Sequence, residues 1–107
     1  MWARVTRFED VPEKLDGVVR QFKNELGPAI AKQGGTKGSY LFVDRKSGRG
    51  MAITLWDSER SLQASEDSAK ALRSDATQQQ KAAGLTVWGV ERYEVAVVGQ
   101  PAVRAVD

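Results

Sequence analysis

Ala3-Arg-Val-Thr-Arg-Phe8 and Met51-Ala-Ile-Thr-Leu-Trp56 are the two stretches of this 107-residue chain that decide its fold. Each stretch alternates its side chains with a period of two, as a strand does, and each ends in an aromatic residue. An acidic segment typical of a helix start follows both of them, Glu9 to Glu13 after the first and Asp57 to Glu59 after the second. The two halves of the chain therefore carry the same order of elements.

Each half closes with a second strand, about Lys37 to Asp44 in the first half and Val87 to Val98 in the second. A β-α-β unit followed by another is the split βαβ arrangement, so the sequence predicts an α+β domain with a ferredoxin-like βαββαβ antiparallel sheet. We expect this domain to occupy residues 1–98. Residues 99–107 should form a loose C-terminal tail, because they show no hydrophobic period.

The two helices between these strands differ in their apolar pattern. The first should begin at Asp10, whose carboxylate would cap it, and Gly27-Pro28 should interrupt it. The second should begin at Asp57 or Ser58 and break near Ser65 to Ser68. The apolar stripe of the first helix is Leu15, Val18, Val19, Phe22 and Leu26, and that of the second is Leu62, Ala69, Leu72 and Ala76.

Composition removes several classes of function. The chain has no Cys, hence no disulfide or thiolate nucleophile, and no His, the usual base at neutral pH and the usual ligand of zinc or haem iron. We therefore predict no metal and no cofactor. The net charge of +2 is spread along the chain without a basic stripe, which predicts no nucleic-acid partner. Without a signal-peptide pattern or an apolar run near the roughly 18 residues of a membrane span, we expect a cytoplasmic protein with no membrane partner.

Strands two and three are apolar on both faces. Tyr40 and Phe42 alternate with Leu41 and Val43, and Ile53 and its neighbours in strand three alternate in the same way. Two helices cover only one face of a sheet, so a second copy of the chain is the economical cover for the other face. The sequence predicts a homodimer, in which the far end of the unusually long fourth strand pairs with the other subunit. The alternative is a monomer whose sheet is partly exposed.

The strand pattern also predicts a cleft between the sheet and the helices. If Trp56 faces the helices, Thr54 and Ala52 do so too, and a first strand lying parallel beside the third would add its own face. The candidate substrate-binding residues are Arg4, Thr6, Thr54, Trp56, Trp88 and Arg92. Aromatic walls with a few polar groups are typical of small-molecule sites, and arginine suits anions or phenolate oxygens.

Each of these side chains also has a purely structural interpretation. Arg4 and Arg92 could instead reach solvent or pair with Glu91 and Glu94 across the strands. Trp56 could simply close the end of the third strand against a helix. The sequence leaves both interpretations open.

Ile53-Thr-Leu-Trp-Asp-Ser-Glu59, at the junction of the third strand and the second helix, resembles the antibiotic biosynthesis monooxygenase family of dimeric α/β barrels. The resemblance extends over residues 1–98. It implies two sheets packed face to face in a homodimer, a fourth strand that reaches across, and a pocket between each sheet and its own helices.

Two branches of that family suggest site residues. The branch that oxidises polyketide phenols without a cofactor uses a Trp, an Asn four residues before it and a Tyr six residues after it. Trp56 matches, whereas the other two positions hold Ala52 and Leu62. The haem-degrading branch uses Asn, Trp and His at positions that hold Thr6, Ser65 and Asp75 here.

Two hypotheses for function follow. The first is a cofactor-independent monooxygenase-like protein that acts on a small hydrophobic or phenolic metabolite, with its catalytic residues unknown. The alternative is a non-catalytic dimer that binds such a molecule, an interpretation favoured by Ala52 and Leu62. In either case we expect no turnover of haem, because the chain has no His to hold the iron.

Overall fold

A computed structural model describes residues 1–71 and 85–102 of the chain. In this part, one antiparallel sheet holds the strands in the order β2-β3-β1-β4. The strands are β1 (Trp2–Glu9), β2 (Thr36–Val43), β3 (Arg49–Trp56) and β4 (Thr86–Glu94). The helices join β1 to β2 and follow β3, so the predicted ferredoxin-like α+β fold is confirmed.

The first helical connection has four consecutive parts. A 3₁₀ turn over Pro12–Lys14 leads into α1 (Leu15–Gln21), a π-helical segment over Phe22–Leu26 follows, and α2 (Gly27–Ala31) completes it. The chain stays helical from Leu15 to Ala31, and the irregularity predicted at Gly27-Pro28 takes the form of the π turn that precedes this pair. Proline has no N–H to offer its helix, and the N–H of Gly27 bonds to the carbonyl of Phe22, five residues back, in a widened turn.

The second connection begins with a capped helix. α3 (Glu59–Ala64) is capped by Ser58, whose side-chain oxygen accepts from the N–H of Ser61 at 3.1 Å. The helix ends in a turn at Ser65, and residues 66–71 are helical again. The predicted start and break are therefore confirmed, while the predicted apolar positions Leu72 and Ala76 lie outside the described residues.

The predicted cap at Asp10 is wrong. Its carboxylate accepts from the neighbouring N–H of Val11 at 2.7 Å, and no side chain caps the turn that begins at Pro12. The backbone explains the difference. The N–H of Asp10 bonds to the carbonyl of Gly48 at 2.9 Å, so Asp10 still belongs to the end of the sheet and not to the helix.

Two expectations about strand pairing are also wrong. β1 does lie beside β3, but the two strands run antiparallel. β4 ends at Glu94 and does not continue to Val98. Beyond that strand, the N–H of Val95 bonds to the carbonyl of Met1 at 2.8 Å. The pairing of this strand with another subunit stays a prediction.

The two faces of the sheet have different surroundings. On the helix-covered face, Phe8 forms a buried core with Leu15, Val18 and Leu85. On the opposite face, called here the open face, the rings of Tyr40 and Phe42 stack with centroids 6.0 Å apart and remain about half exposed. No helix among the described residues is long and apolar enough to cross a membrane.

Candidate functional site

A cavity lies between the sheet and the first helical connection, with about 100 Å³ of space open to the centre of a water molecule. That space holds several waters or part of a small organic molecule. Alternation along β1 and β3 turns every second side chain towards it. The sheet residues that line it in these two strands are Arg4, Thr6, Phe8, Ala52, Thr54 and Trp56.

The first helical connection forms the opposite wall. Its lining residues are Val18, Gln21, Phe22, Leu26, Ile30 and Gln33. Phe22 and Leu26 are the two ends of the π-helical segment, so the widened turn itself shapes the cavity. The lining is predominantly apolar and carries a few polar groups, which is the composition of a site for a small, mainly apolar molecule.

Arg4 is the charged group of the cavity wall. It is only 3% exposed, and its Nη2 donates to the carbonyl of Leu62 at 2.9 Å and to the hydroxyl of Ser65 at 2.8 Å. Both acceptors belong to the end of α3, so Arg4 ties that end to the sheet. The Arg4 Nε–H is buried and has no hydrogen-bond partner within the described residues. A buried donor without an acceptor is costly, and a ligand oxygen would relieve that cost.

Trp56 lies against this guanidinium. The Arg4 Cζ is 5.5 Å from the centroid of the Trp56 ring, within the range of a cation–π contact. The indole N–H donates to the Thr54 hydroxyl at 3.0 Å, and Trp56 is 1% exposed. Trp56 therefore both packs in the core and borders the cavity, so the two interpretations left open by the sequence describe the same side chain.

Glu66 lies outside the cavity and forms ion pairs with two arginines, Arg4 and Arg92. Its carboxylate lies 3.3 Å from Arg4 Nη2 and accepts from both Nε and Nη2 of Arg92. These hydrogen bonds from Arg92, with the nearby charge of Arg4, lower the pKa of Glu66 from 4.5 to about 2. Burial lowers the pKa of Arg4, and the charge of Glu66 opposes that change. A guanidinium nevertheless remains charged at neutral pH.

Four of the six predicted substrate-binding residues lie around the cavity, namely Arg4, Thr6, Thr54 and Trp56. Arg92 is not among the lining residues. Its side chain is 44% exposed and pairs with Glu66, not with Glu91 or Glu94 as the alternative interpretation had it.

Trp88 lies on the other face of the sheet. The Arg7 Cζ is 5.9 Å from its ring centroid, and Arg7 alternates with the cavity residues Thr6 and Phe8. The prediction that Trp88 continues the cleft is therefore wrong. The pairing of β1 with β4 shifts between Arg7 and Phe8, which leaves Trp88 without a partner in the register. This irregularity reverses the alternation on which the prediction depended.

Sequence reasoning missed Glu66. One signal could have found it. Arg4 and Arg92 are directly opposite in the β1–β4 register, and like charges in that position destabilise a sheet unless a counter-charge lies nearby. The break at Ser65 is the point at which the second helical connection could supply that charge.

The lining residues do not fit a coordinated haem. The chain has no His or Cys, and the described lining offers no phenol or thioether. Tyr40, Met51 and Tyr93 fall on the open face by their register. Iron in this cavity would therefore lack the protein ligands that usually hold haem.

Comparison with known sequences gives distant relatives. No family model matches the chain. The chain is 30% identical over 76 residues, 71% of its length, to the uncharacterized protein Rv2558 of Mycobacterium tuberculosis. These residues are only 32% of that relative, so the chain spans about a third of the length of the curated relatives it matches.

Solved structures match a larger share of the chain than these sequence relatives do. A candidate antibiotic biosynthesis monooxygenase from Deinococcus radiodurans has a TM-score of 0.70 and 15% identity, covering 96% of this chain and 100% of its own. The heme-degrader MhuD of Mycobacterium tuberculosis, with two hemes in its active site, has a TM-score of 0.66 and 18% identity, covering 94% of this chain and 100% of its own. SnoaB, a cofactor-independent oxygenase from Streptomyces nogalater, has a TM-score of 0.64 and 16% identity, covering 91% of this chain and 94% of its own.

These structures share their fold with this chain over nearly its whole length. The chain therefore has the fold of antibiotic biosynthesis monooxygenase-like proteins, as the resemblance around Trp56 implied. Proteins of this fold include a cofactor-independent oxygenase and a heme-degrader. The chemistry of this chain has to be argued from its own cavity.

Proposed function

We propose that the chain is a cofactor-independent monooxygenase-like protein that binds a small hydrophobic or phenolic molecule between its sheet and its helices. One observation carries the proposal: a predominantly apolar cavity is lined by a buried guanidinium whose Nε–H has no partner among residues 1–71 and 85–102. An aromatic ring suits the apolar walls, and a phenolic oxygen suits the Arg4 Nε–H. Arg4, Thr6, Thr54 and Trp56 would form the binding surface.

The proposed reaction needs no reductant besides the substrate. Arginine favours the ionised phenol, whose electron-rich ring can give electrons to O₂. For 1-naphthol, one oxygen atom of O₂ forms a new bond at the ring carbon para to the hydroxyl, and that carbon loses its hydrogen. The second oxygen atom leaves as water, and the ring loses four electrons to become 1,4-naphthoquinone. The phenol thus supplies every electron that O₂ accepts.

Binding and oxygen consumption test the two halves of this proposal separately. Quenching of tryptophan fluorescence by 1-naphthol would report binding, and an oxygen electrode with product analysis would report turnover. Arg4→Gln should weaken binding of the phenol, whereas Arg49→Gln, an exposed arginine 3.3 Å from Glu9, should not. Binding that is equal in both variants would reject Arg4 as the ligand's partner.

The alternative function is binding without chemistry. Ala52 lines the cavity and Leu62 is 1% exposed, and both occupy positions where the phenol-oxidising branch has polar side chains. An apolar residue cannot move a proton or hold an oxygen intermediate. Saturable binding of 1-naphthol without oxygen uptake would favour this alternative over the monooxygenase.

We also propose that the functional unit is a homodimer packed through the open face. Tyr40, Phe42 and Trp88 are each 51–58% exposed there, and Ile53 and Leu55 are only partly covered. Large apolar side chains exposed together on one face are typical of protein–protein contacts. A second copy would cover the open face and leave the cavity on the other side of each sheet.

A further inference from the structure

The arginines around Glu66 share that carboxylate unequally. Arg92 donates from Nε to one oxygen and, at 2.7 Å, from Nη2 to the other, which is the bidentate geometry of a strong pair. Arg4 has a single 3.3 Å approach, and the bonds of its Nη2 go to Leu62 and Ser65. Most of the negative charge of Glu66 is therefore taken up by Arg92.

Arg4 is left as the less compensated charge. Two guanidinium groups and one carboxylate leave one net positive charge in this cluster. Glu66 is the ion-pair partner of Arg4 in the described part of the chain, and it stays ionised at neutral pH. The Arg92 side chain is 44% exposed and can be screened by water, whereas Arg4 is 3% exposed and faces the cavity. The positive electrostatic potential of this excess charge is therefore strongest in the cavity, where a ligand would bind.

We infer that the cavity selects an aromatic anion, a carboxylate or a phenolate, and that Arg92 sets this preference from outside the cavity by engaging both oxygens of Glu66, so that Glu66 neutralises Arg4 only in part. This inference rests on the proposed binding function and names the charge of its ligand. Arg92 is a positioning residue in this scheme, because it acts on the ligand only through Glu66 and Arg4.

Two substitutions should move the charge preference in opposite directions. In Arg92→Gln, Glu66 loses its bidentate partner and turns to Arg4, which neutralises the cavity cation. In Glu66→Gln, Arg4 loses its counter-charge and the cation becomes stronger. A merely structural role would weaken the site in both variants, since both break the same ion pair, so opposite shifts are the signature of charge control.

The experiment compares 2-naphthoate, which is ionised at pH 7, with its neutral isostere 2-naphthamide, by fluorescence titration of the full chain. The wild type should bind the anion about 10- to 100-fold more tightly, the value of a hydrogen bond to a charged group. Arg92→Gln should reduce this ratio about tenfold, and Glu66→Gln should raise it. Arg49→Gln is the matched control and should leave the ratio unchanged.

The outcomes separate this inference from the function on which it rests. Equal binding of naphthoate and naphthamide by the wild type would overturn the inference and leave the proposed cavity in place. Shifts of the same sign in the two variants would overturn the role of Arg92. Failure of both ligands and of 1-naphthol to bind would reject the binding function itself. Circular dichroism of each variant confirms that a lost preference is not lost folding.

Discussion

Arg4 and Arg92 lie directly opposite each other in the β1–β4 register, and one carboxylate, that of Glu66, contacts both. The sheet alone would place two positive charges side by side, which is unfavourable. The turn at Ser65 brings Glu66 to them immediately after α3 ends. Pairing of the strands and docking of the second helical connection therefore depend on the same three side chains.

Stability in acid should report this ion pair. The pKa of Glu66 is about 2 in the folded chain against a usual 4.5. Because the folded value is the lower one, the ionised carboxylate stabilises the fold above about pH 5, and this contribution is lost as the pH falls towards 2. With 28% of the side chain exposed, we expect about 1–2 kcal/mol. Glu66→Gln should lose that amount at pH 7 in urea unfolding.

The difference in free energy of unfolding between wild type and Glu66→Gln should shrink as the pH is lowered to 3. Glu59→Gln is a suitable control, because Glu59 is an exposed residue on α3 that accepts from the neutral side chain of Gln63 at 3.1 Å. It should change stability little at either pH. A difference for Glu66→Gln that stays constant from pH 7 to pH 3 would argue against an ionic origin.

Replacement of Trp56 should affect both folding and binding. Trp56→Phe removes packing volume and leaves the Thr54 hydroxyl without its donor. We expect a loss of about 1–3 kcal/mol in the free energy of unfolding, with the fold retained, and weaker binding of 1-naphthol. Trp88→Phe, on the open face, should leave binding unchanged. Unaltered binding in Trp56→Phe would reduce this side chain to a packing role.

Haem should not bind as a coordinated complex. The described cavity lining offers no imidazole, thiolate or phenol to the iron. Titration of the chain with haemin should give at most a weak hydrophobic association, without the Soret shift of a protein-ligated iron. A tight stoichiometric complex with a coordinated spectrum would show that a ligand arises elsewhere in the chain.

The open face should control association. Phe42→Asp places a carboxylate among Tyr40 and the apolar residues of β3, and burial of an unpaired charge in an interface costs several kcal/mol. We expect the wild type to sediment at micromolar concentration with twice the 11.7 kDa mass of one chain, and the variant as a monomer. Val11→Asp charges a similarly exposed residue outside the sheet and should remain dimeric. A monomeric wild type would reject the dimer.

Local patterns were sufficient to predict most elements of this fold. Alternation identified β1 and β3, and the Ser58 cap and the break at Ser65 followed from residue type at helix ends. The prediction of Trp88 failed because an irregularity in the pairing of two distant strands decides which way that side chain points. The role of Glu66 was missed for the same kind of reason. It depends on arginines 62 and 26 positions away, and no local period reports such contacts.

The π-helical turn between α1 and α2 has a consequence for how such a site can change. A π turn holds one residue more than the α-helical turn it replaces, so it is equivalent to a one-residue insertion. Deletion of a residue within 22–26 would restore an ordinary α-helical turn, so Ile30 would keep its side of the helix while the widened turn between Phe22 and Leu26 would be lost from the cavity wall. The strands and their register would be untouched. A single codon gained or lost here would remodel one wall of the cavity, and related chains could acquire different ligands by this route without a new fold.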